Sequence, residues 1–184
     1  DSIIQINKGD LIVVASRPAM GKSTLVLNIL SNVVIKEKKA VLLFSLENSK
    51  KNIINKLIIS NSMVEVDKFQ IYDKCLKGKI TKSELTDDDW NRIAYGLNIL
   101  KDAPIFIGTN TPYTIDDICK RSRELKPKEN IELIIIDYLQ LIQFDKSKAL
   151  SRDNETREIL KELKILAKEL NIPIIITSQL SRKT

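Results

Sequence analysis

Leu11-Ile12-Val13-Val14-Ala15-Ser16-Arg17-Pro18-Ala19-Met20-Gly21-Lys22-Ser23-Thr24 is the stretch around which the rest of the chain can be placed. A continuous apolar run leads into a turn and then Gly-Lys-Ser, and a second apolar run opens at Leu25. Strand, loop and helix in that order make a P-loop, whose backbone N–H groups wrap the phosphates of a nucleotide. In that reading Gly21 lets the backbone come close to the phosphates, Lys22 reaches the β- and γ-phosphates, and the Ser23 hydroxyl is placed to ligate Mg²⁺. The following helix aims the positive end of its dipole at the same anion. Ser16, Arg17, Pro18, Ala19, Met20, Gly21, Lys22, Ser23 and Thr24 are therefore the candidate ATP-binding residues. The pattern G-x-x-x-x-G-K-[ST] asks for glycine where this chain has Ser16, and a serine fits there if the loop opens at negative φ. A chance Gly-Lys-Ser on a turn is the plain alternative, and the flanking strand and helix weigh against it.

The chain has 184 residues, enough for one domain with a substantial core, and it shows no internal boundary. Apolar residues make up 43% and charged residues 29%, the profile of a soluble globular protein. No apolar run approaches the roughly 20 residues needed to span a bilayer, so no membrane partner is expected. The opening Asp1-Ser2-Ile3-Ile4-Gln5 lacks the basic and long apolar regions of a secretory signal. A start at Asp1 rather than Met is read as that of a fragment. Cys75 and Cys119 lie far apart without a metal spacing, as reduced thiols in a cytoplasmic protein do. The absence of histidine excludes His-based nucleophilic triads and His-ligated zinc. A net charge of +6 permits a polyanionic partner, although lysines on solvated helix faces give the same total.

Strands are expected at Leu11–Ala15, Ala40–Ser45, Ile105–Ile107, Leu133–Ile136 and Ile172–Thr177, all short and apolar throughout, as in strands covered on both faces. Lys22–Ile35 is apolar almost all round and reads as a buried helix. Ile53, Ile54, Leu57 and Ile58 give one apolar face to the helix after Ser49. Thr86 reads as an N-cap with Asp87, Asp88 and Asp89 in the first turn, and Trp90, Ile93, Ala94, Leu97 and Leu100 as the core stripe that follows. Thr114 and Asp117 read as a capping box opening a helix to Leu125 that Pro127 stops. The last helix runs from Asn154 to Leu170, with Lys161, Lys164 and Lys168 on its solvated side. Val64–Ser83 is the least regular part and reads as a surface excursion. Strands alternating with helices give an α/β class with a mainly parallel sheet flanked by helices on both faces.

In a parallel sheet the carboxyl ends of all strands share one edge, the edge that carries the P-loop. Glu47, Asp137 and Gln179 each follow a predicted strand and so come to that rim. Asp137, ending an apolar strand, suits a Walker-B acid that holds Mg²⁺. Glu47 is free of that duty and suits a general base for the attacking water. Gln179 suits a contact to the γ-phosphate or the water. Taken singly, each serves equally well as a capping or turn residue; together with a P-loop they point to ATP hydrolysis.

Ser16–Thr24, Phe44-Ser45-Leu46-Glu47, Ile136-Asp137-Tyr138-Leu139-Gln140-Leu141 and Ser178-Gln179-Leu180-Ser181-Arg182 resemble, in order and wording, the successive motifs of bacterial replicative DNA helicases of the DnaB type. Asp88-Asp89-Trp90 and Leu166-Ala167-Lys168-Glu169-Leu170 resemble the same family, so the likeness covers essentially the whole chain. It implies a RecA-like motor domain, hexameric in the assembled protein, that encircles single-stranded DNA and couples ATP hydrolysis at subunit interfaces to translocation and unwinding. A primase and a helicase loader are the protein partners it implies. Carried over by position, Lys22 and Ser23 bind phosphate and Mg²⁺, Glu47 is the catalytic base, Asp137 the Walker-B acid and Gln179 the coupling residue.

The polar stretch Gln143–Arg152 is similar to a loop that in this family faces the central channel, making Lys146, Lys148 and Arg152 candidate DNA contacts; a solvated surface loop is the alternative. The family's second channel loop and arginine finger would lie beyond Thr184, and its amino-terminal domain and linker helix are also absent, so the chain by itself is expected to bind nucleotide but hydrolyse it poorly. Two other readings are a RecA- or RadA-type recombinase, against which Asp137-Tyr138-Leu139-Gln140-Leu141 speaks, and a nucleotide-binding regulatory module, against which the pairing of Glu47 with Asp137 speaks.

Overall fold

Five short runs of branched aliphatic residues fold as the strands β1 (Leu11–Ser16), β2 (Ala40–Ser45), β3 (Ile105–Gly108), β4 (Ile131–Asp137) and β5 (Ile174–Gln179). The computed structural model describes residues 6–77, 79, 84–109, 113–143 and 151–180. These fall into two compact units, one built from residues 1–50 and 104–184, the other from residues 51–103.

All five strands belong to the first unit and pair in parallel, in the order β1-β5-β4-β2-β3. The expected strands are present, with β4 longer than its apolar run and β5 starting two residues later than read. Pro173 accounts for the shift. It has no N–H to donate to a ladder, and Ile172 bonds back to the Ala167 carbonyl at the end of the preceding helix, where Asn171 turns at a φ of 51°.

The helices α1 (Lys22–Ile35), α5 (Ile115–Glu129) and α6 (Arg152–Leu170) cover the sheet. Leu42, Phe44, Ile134, Ile136, Ile174 and Ile176 pack with Ile118, Leu125, Ile159, Leu163 and Leu166 of α5 and α6 in one core. The intervening residues Val41, Leu43, Ile135 and Ile175, also buried, point to the opposite face. α1 lies against β1, β2 and β4 but contributes nothing to the α5–α6 core, so the sheet is sandwiched. Each fully buried Ile or Leu contributes about 1.5–3 kcal/mol over its exposed state. α1 is not the helix buried all round that its composition suggested. Val26, Leu30 and Val34, spaced four apart, face the sheet, and Leu25 is 50% exposed.

Thr114 opens α5 with the expected capping box, its hydroxyl accepting from the Asp117 N–H and the Asp117 carboxylate accepting from the Thr114 N–H. Pro127 does not stop this helix: it lies within the last turn, and Asn130 at a φ of 49° ends the helix instead. A proline so near the end removes a single helical hydrogen bond, which the turn tolerates. Arg123 of α5 makes a two-pronged pair with Glu169 of α6 at 2.8 and 2.7 Å. On α6, Lys161 and Lys168 are exposed as expected, but Lys164 is part-buried and its ammonium donates to the Gly9 carbonyl at 2.9 Å. Burial pushes the Cys119 thiol up to about 11.

The second unit is helical: α2 (Lys50–Ser62), α3 (Val66–Leu76) and α4 (Asp87–Lys101). Ile58, Val64, Phe69, Leu85 and Ile93 form its core, with Trp90 against it as expected. The helix α3 replaces most of the irregular excursion expected over Val64–Ser83; residues 78 and 80–83 lie outside the described set. Its signal is confined to one aromatic face, where Phe69 meets Tyr72 at 5.6 Å between centroids and Tyr72 meets Trp90 at 5.4 Å. On α4 the buried stripe runs through Asp89, Ile93 and Gly96, while Ala94 and Leu97 are exposed. Gly96 redirects it, because a Cβ there would sit 3.0 Å from the Ser62 Cβ and 3.1 Å from the Ile58 carbonyl oxygen. A side chain there would press α2 away by a few tenths of an ångström.

Thr86 caps α4 through a full capping box with Asp89, which is itself buried and 2.9 Å from the Lys68 ammonium. Lys68, with Thr86, holds the Asp89 carboxyl down at about 2, below the ordinary value of about 3.9. A depressed carboxylate contributes stability above its unfolded pKa and loses it as pH falls through the folded one. Asp89→Asn is therefore expected to destabilise the chain in urea at pH 7, with a deficit that shrinks between about pH 4 and pH 2. A deficit unchanged across that window would contradict the pairing.

Candidate nucleotide-binding site

The parallel registers bring four strand ends side by side. Ser16 at the end of β1 pairs with Gln179 of β5, and Ser45 of β2 pairs with Asp137 of β4. The Leu180 N–H donates to the Ser16 carbonyl at 3.0 Å, and the Leu46 N–H to the Asp137 carbonyl at 2.8 Å, which extends the pairing past the strands. A cleft of about 460 Å³ opens at this rim, lined by residues 18–24 with Glu47, Asp137, Tyr138 and Gln179. The structure thus gathers residues 18–24 of the expected loop and all three expected polar residues in one place, while Ser16 and Arg17 do not line the cleft. A larger cleft of about 600 Å³ lies at β3, beside Lys50, Tyr113 and Arg121, and contains none of them.

The loop has the form its sequence requires. Ser16 ends β1 without positive φ, so its departure from glycine costs no backbone strain, whereas Ala19 (φ 61°) and Gly21 (φ 79°) turn the chain through the left-handed region. Nothing lies within 4 Å of where a Gly21 Cβ would be, so glycine serves the backbone conformation there and not a close contact. Gly21 caps α1 without a side-chain bond, and the first turn of α1 carries no acidic residue. Its leading N–H groups thus have no side-chain acceptor, the arrangement that binds an anion at a helix start. The Lys22 ammonium folds back on its own loop, 3.1 Å from the Ser16 carbonyl, 3.3 Å from the Ser16 hydroxyl and 3.4 Å from the Arg17 carbonyl.

Glu47 stands exposed on a turn shaped by Ser45, whose hydroxyl donates to the Asn48 carbonyl at 3.0 Å and accepts from the Asn48 N–H at 3.3 Å. Asp137 is buried and accepts a 2.6 Å hydrogen bond from the Thr177 hydroxyl. Gln140 grips the end of β5: its amide nitrogen donates to the Gln179 carbonyl at 2.9 Å and to the Ser178 hydroxyl at 3.0 Å, and its amide oxygen accepts from the Gln179 N–H at 3.2 Å. The sequence by itself gives Tyr138, Gln140 and Thr177 no separate role. Gln140 and Thr177 act across strands whose order the sequence does not state, and Tyr138 lines the cleft.

Among the described residues no cluster of three or more Cys, Asp or Glu stands ready to hold a metal unaided. The hard oxygens of Ser23 and Asp137 fit a cation that keeps waters and takes its other ligands from phosphate, as Mg²⁺ does. Of the candidate DNA contacts, Arg152 is exposed at the start of α6, and its guanidinium lies 3.5 Å from the Gln140 carbonyl. Lys146 and Lys148 lie outside the described residues. Among those residues no helix is long and apolar enough to cross a membrane.

The family of DnaB-like helicase C-terminal domains matches residues 1–184. The chain belongs to that family. The replicative DNA helicase DnaB of Buchnera aphidicola is 40% identical over 179 residues, covering 96% of this chain, and that of Geobacillus stearothermophilus is 34% identical over 175 residues, covering 95%. The chain spans 36% of the length of each. A solved DnaB-like replicative helicase, described together with its interactions with primase, superposes with a TM-score of 0.83 at 28% identity over 97% of this chain and 40% of that one. A solved ATPase domain superposes with a TM-score of 0.85 at 27% identity over 96% of this chain and 59% of that one. The sheet and its helices are thus the RecA-like core of a DnaB-like helicase C-terminal domain.

Proposed function

We propose that residues 1–184 act as one ATPase domain of a replicative DNA helicase, hydrolysing MgATP to drive translocation along single-stranded DNA and separation of the duplex. The observation that carries this is the convergence of the phosphate loop, Glu47, Asp137 and Gln179 on one cleft. Lys22 leaves the Ser16 and Arg17 carbonyls for the β- and γ-phosphates, while the N–H groups of the loop and of α1 cradle the same oxygens. Ser23 and Asp137 would hold Mg²⁺. When bound, that ion neutralises charge developing on the transferred phosphoryl group. Glu47, exposed to the cleft, takes a proton from the attacking water. Gln179 meets the γ-phosphate end and passes its presence along β5.

Ring assembly as a hexamer, with primase and loader as partners, is proposed from family membership. Arg152, Lys146 and Lys148 are assigned to DNA phosphates in the channel, Arg152 being linked to the nucleotide rim through Gln140. The test is binding of single-stranded DNA by the assembled protein at several salt concentrations. Binding that weakens with salt is expected, and a triple alanine variant at the three basic positions should reduce the slope of log K against log[salt] by up to about 2, near 0.7 per phosphate contact. An unchanged slope would overturn the loop assignment, and no DNA binding at all would overturn the function.

A further inference from the structure

Backbone pairing between β4 and β5 ends at Ile136 and Ile176. One residue further, a side-chain bond takes its place: the Thr177 hydroxyl donates to Oδ1 of Asp137 at 2.6 Å. Thr177 is fully buried on a strand flanked by β1 and β4, after three consecutive isoleucines. Valine would fill the same volume there without a polar atom to satisfy, and a buried hydroxyl is costly unless bonded. The short distance is that of a hydroxyl donating to an ionised carboxylate.

The bond constrains what is otherwise loose. The Asp137 main chain is already pinned, since its carbonyl accepts from the Leu46 N–H and its Cα is in register with Ser45. Rotation of the carboxylate about its terminal torsion remains, and that torsion is broad by itself. With Oδ1 held by Thr177, Oδ2 takes no hydrogen bond from the described residues. None of their buried side-chain oxygens lacks a partner, so Oδ2 opens to the cleft that Asp137 lines.

We infer that Thr177 is a positioning residue for the metal site: its hydroxyl fixes the Asp137 carboxylate so that one oxygen faces the Mg²⁺ of bound MgATP. This rests on the assignment of Asp137 to Mg²⁺ made above. Thr177 does not line the cleft, so it acts only through the carboxylate.

The experiment measures binding of a fluorescent ATP analogue to the whole chain, in EDTA and across a Mg²⁺ titration, for the parent chain, Thr177→Val, Thr177→Ser and Asp137→Ala. For Thr177→Val the Mg²⁺ concentration giving half of the affinity gain is expected to rise about tenfold, the worth of one charge-assisted hydrogen bond. Its affinity in EDTA should stay within about twofold of the parent, and Thr177→Ser should restore the Mg²⁺ response. A parental Mg²⁺ response in Thr177→Val, with the response lost in Asp137→Ala, would overturn the inference and leave the metal assignment standing. Equal losses in EDTA and in Mg²⁺ would also overturn it, because they would mark a purely structural hydroxyl. A parental response in Asp137→Ala would overturn the metal assignment itself.

Discussion

Lys22→Ala is expected to weaken binding of an ATP analogue by about a hundredfold. The Lys22 ammonium rests on two neutral main-chain carbonyls and a serine hydroxyl, at 3.1 to 3.4 Å. Moving it onto phosphate oxygens exchanges neutral acceptors for anionic ones, and each charge-assisted hydrogen bond so gained contributes about 1.5–3 kcal/mol. The loop itself should survive the substitution, since Ala19 and Gly21 set its turns and the Leu25 N–H closes α1 onto the Gly21 carbonyl at 2.9 Å. Fluorescence titration with an unchanged circular-dichroism spectrum separates lost binding from lost fold. Parental affinity in Lys22→Ala would mean that the loop does not cradle phosphate.

The second large effect is on turnover. Glu47→Gln preserves the size of the side chain and its exposed place within the Ser45–Asn48 turn, but removes the carboxylate that accepts a proton. A positioned general base contributes roughly 10²–10⁴ in rate, so hydrolysis is expected to fall about a thousandfold with nucleotide affinity held within about twofold. Steady-state phosphate release by the assembled protein, beside a binding titration, reads both quantities. A loss of affinity equal to the loss of rate would place Glu47 among the binding groups instead.

What could be read before the structure was what is written locally. Leu11–Thr24 carries strand, turn and helix start in one run, and Thr114 with Asp117 carries a capping box three residues apart. Glu47, Asp137 and Gln179 could be placed on one rim because a parallel sheet gathers its carboxyl ends whatever its strand order. The order itself, with β5 seated between β1 and β4, comes from pairings between residues far apart in sequence. For that reason the Thr177–Asp137 bond and the pairing of Gln140 with Gln179 are not legible in the sequence, although Gln140 and Gln179 both stand in the quoted motifs. Local rules also misled where packing overrode them. Pro127 reads as a stop but sits in a terminal turn that tolerates it, and Ala94 and Leu97 read as core until the close approach at Gly96 turns α4. The helix α3 carries little sequence signal because its buried face is one phenylalanine with partly buried neighbours among charged residues.

The central claim is that this cleft is the engine of a DNA-driven motor. Its most direct test is ATP hydrolysis by the assembled protein with and without single-stranded DNA, beside Glu47→Gln. The account predicts turnover that rises with DNA and disappears in the variant while ATP binding persists. Nucleotide binding without hydrolysis, with or without DNA, would contradict it.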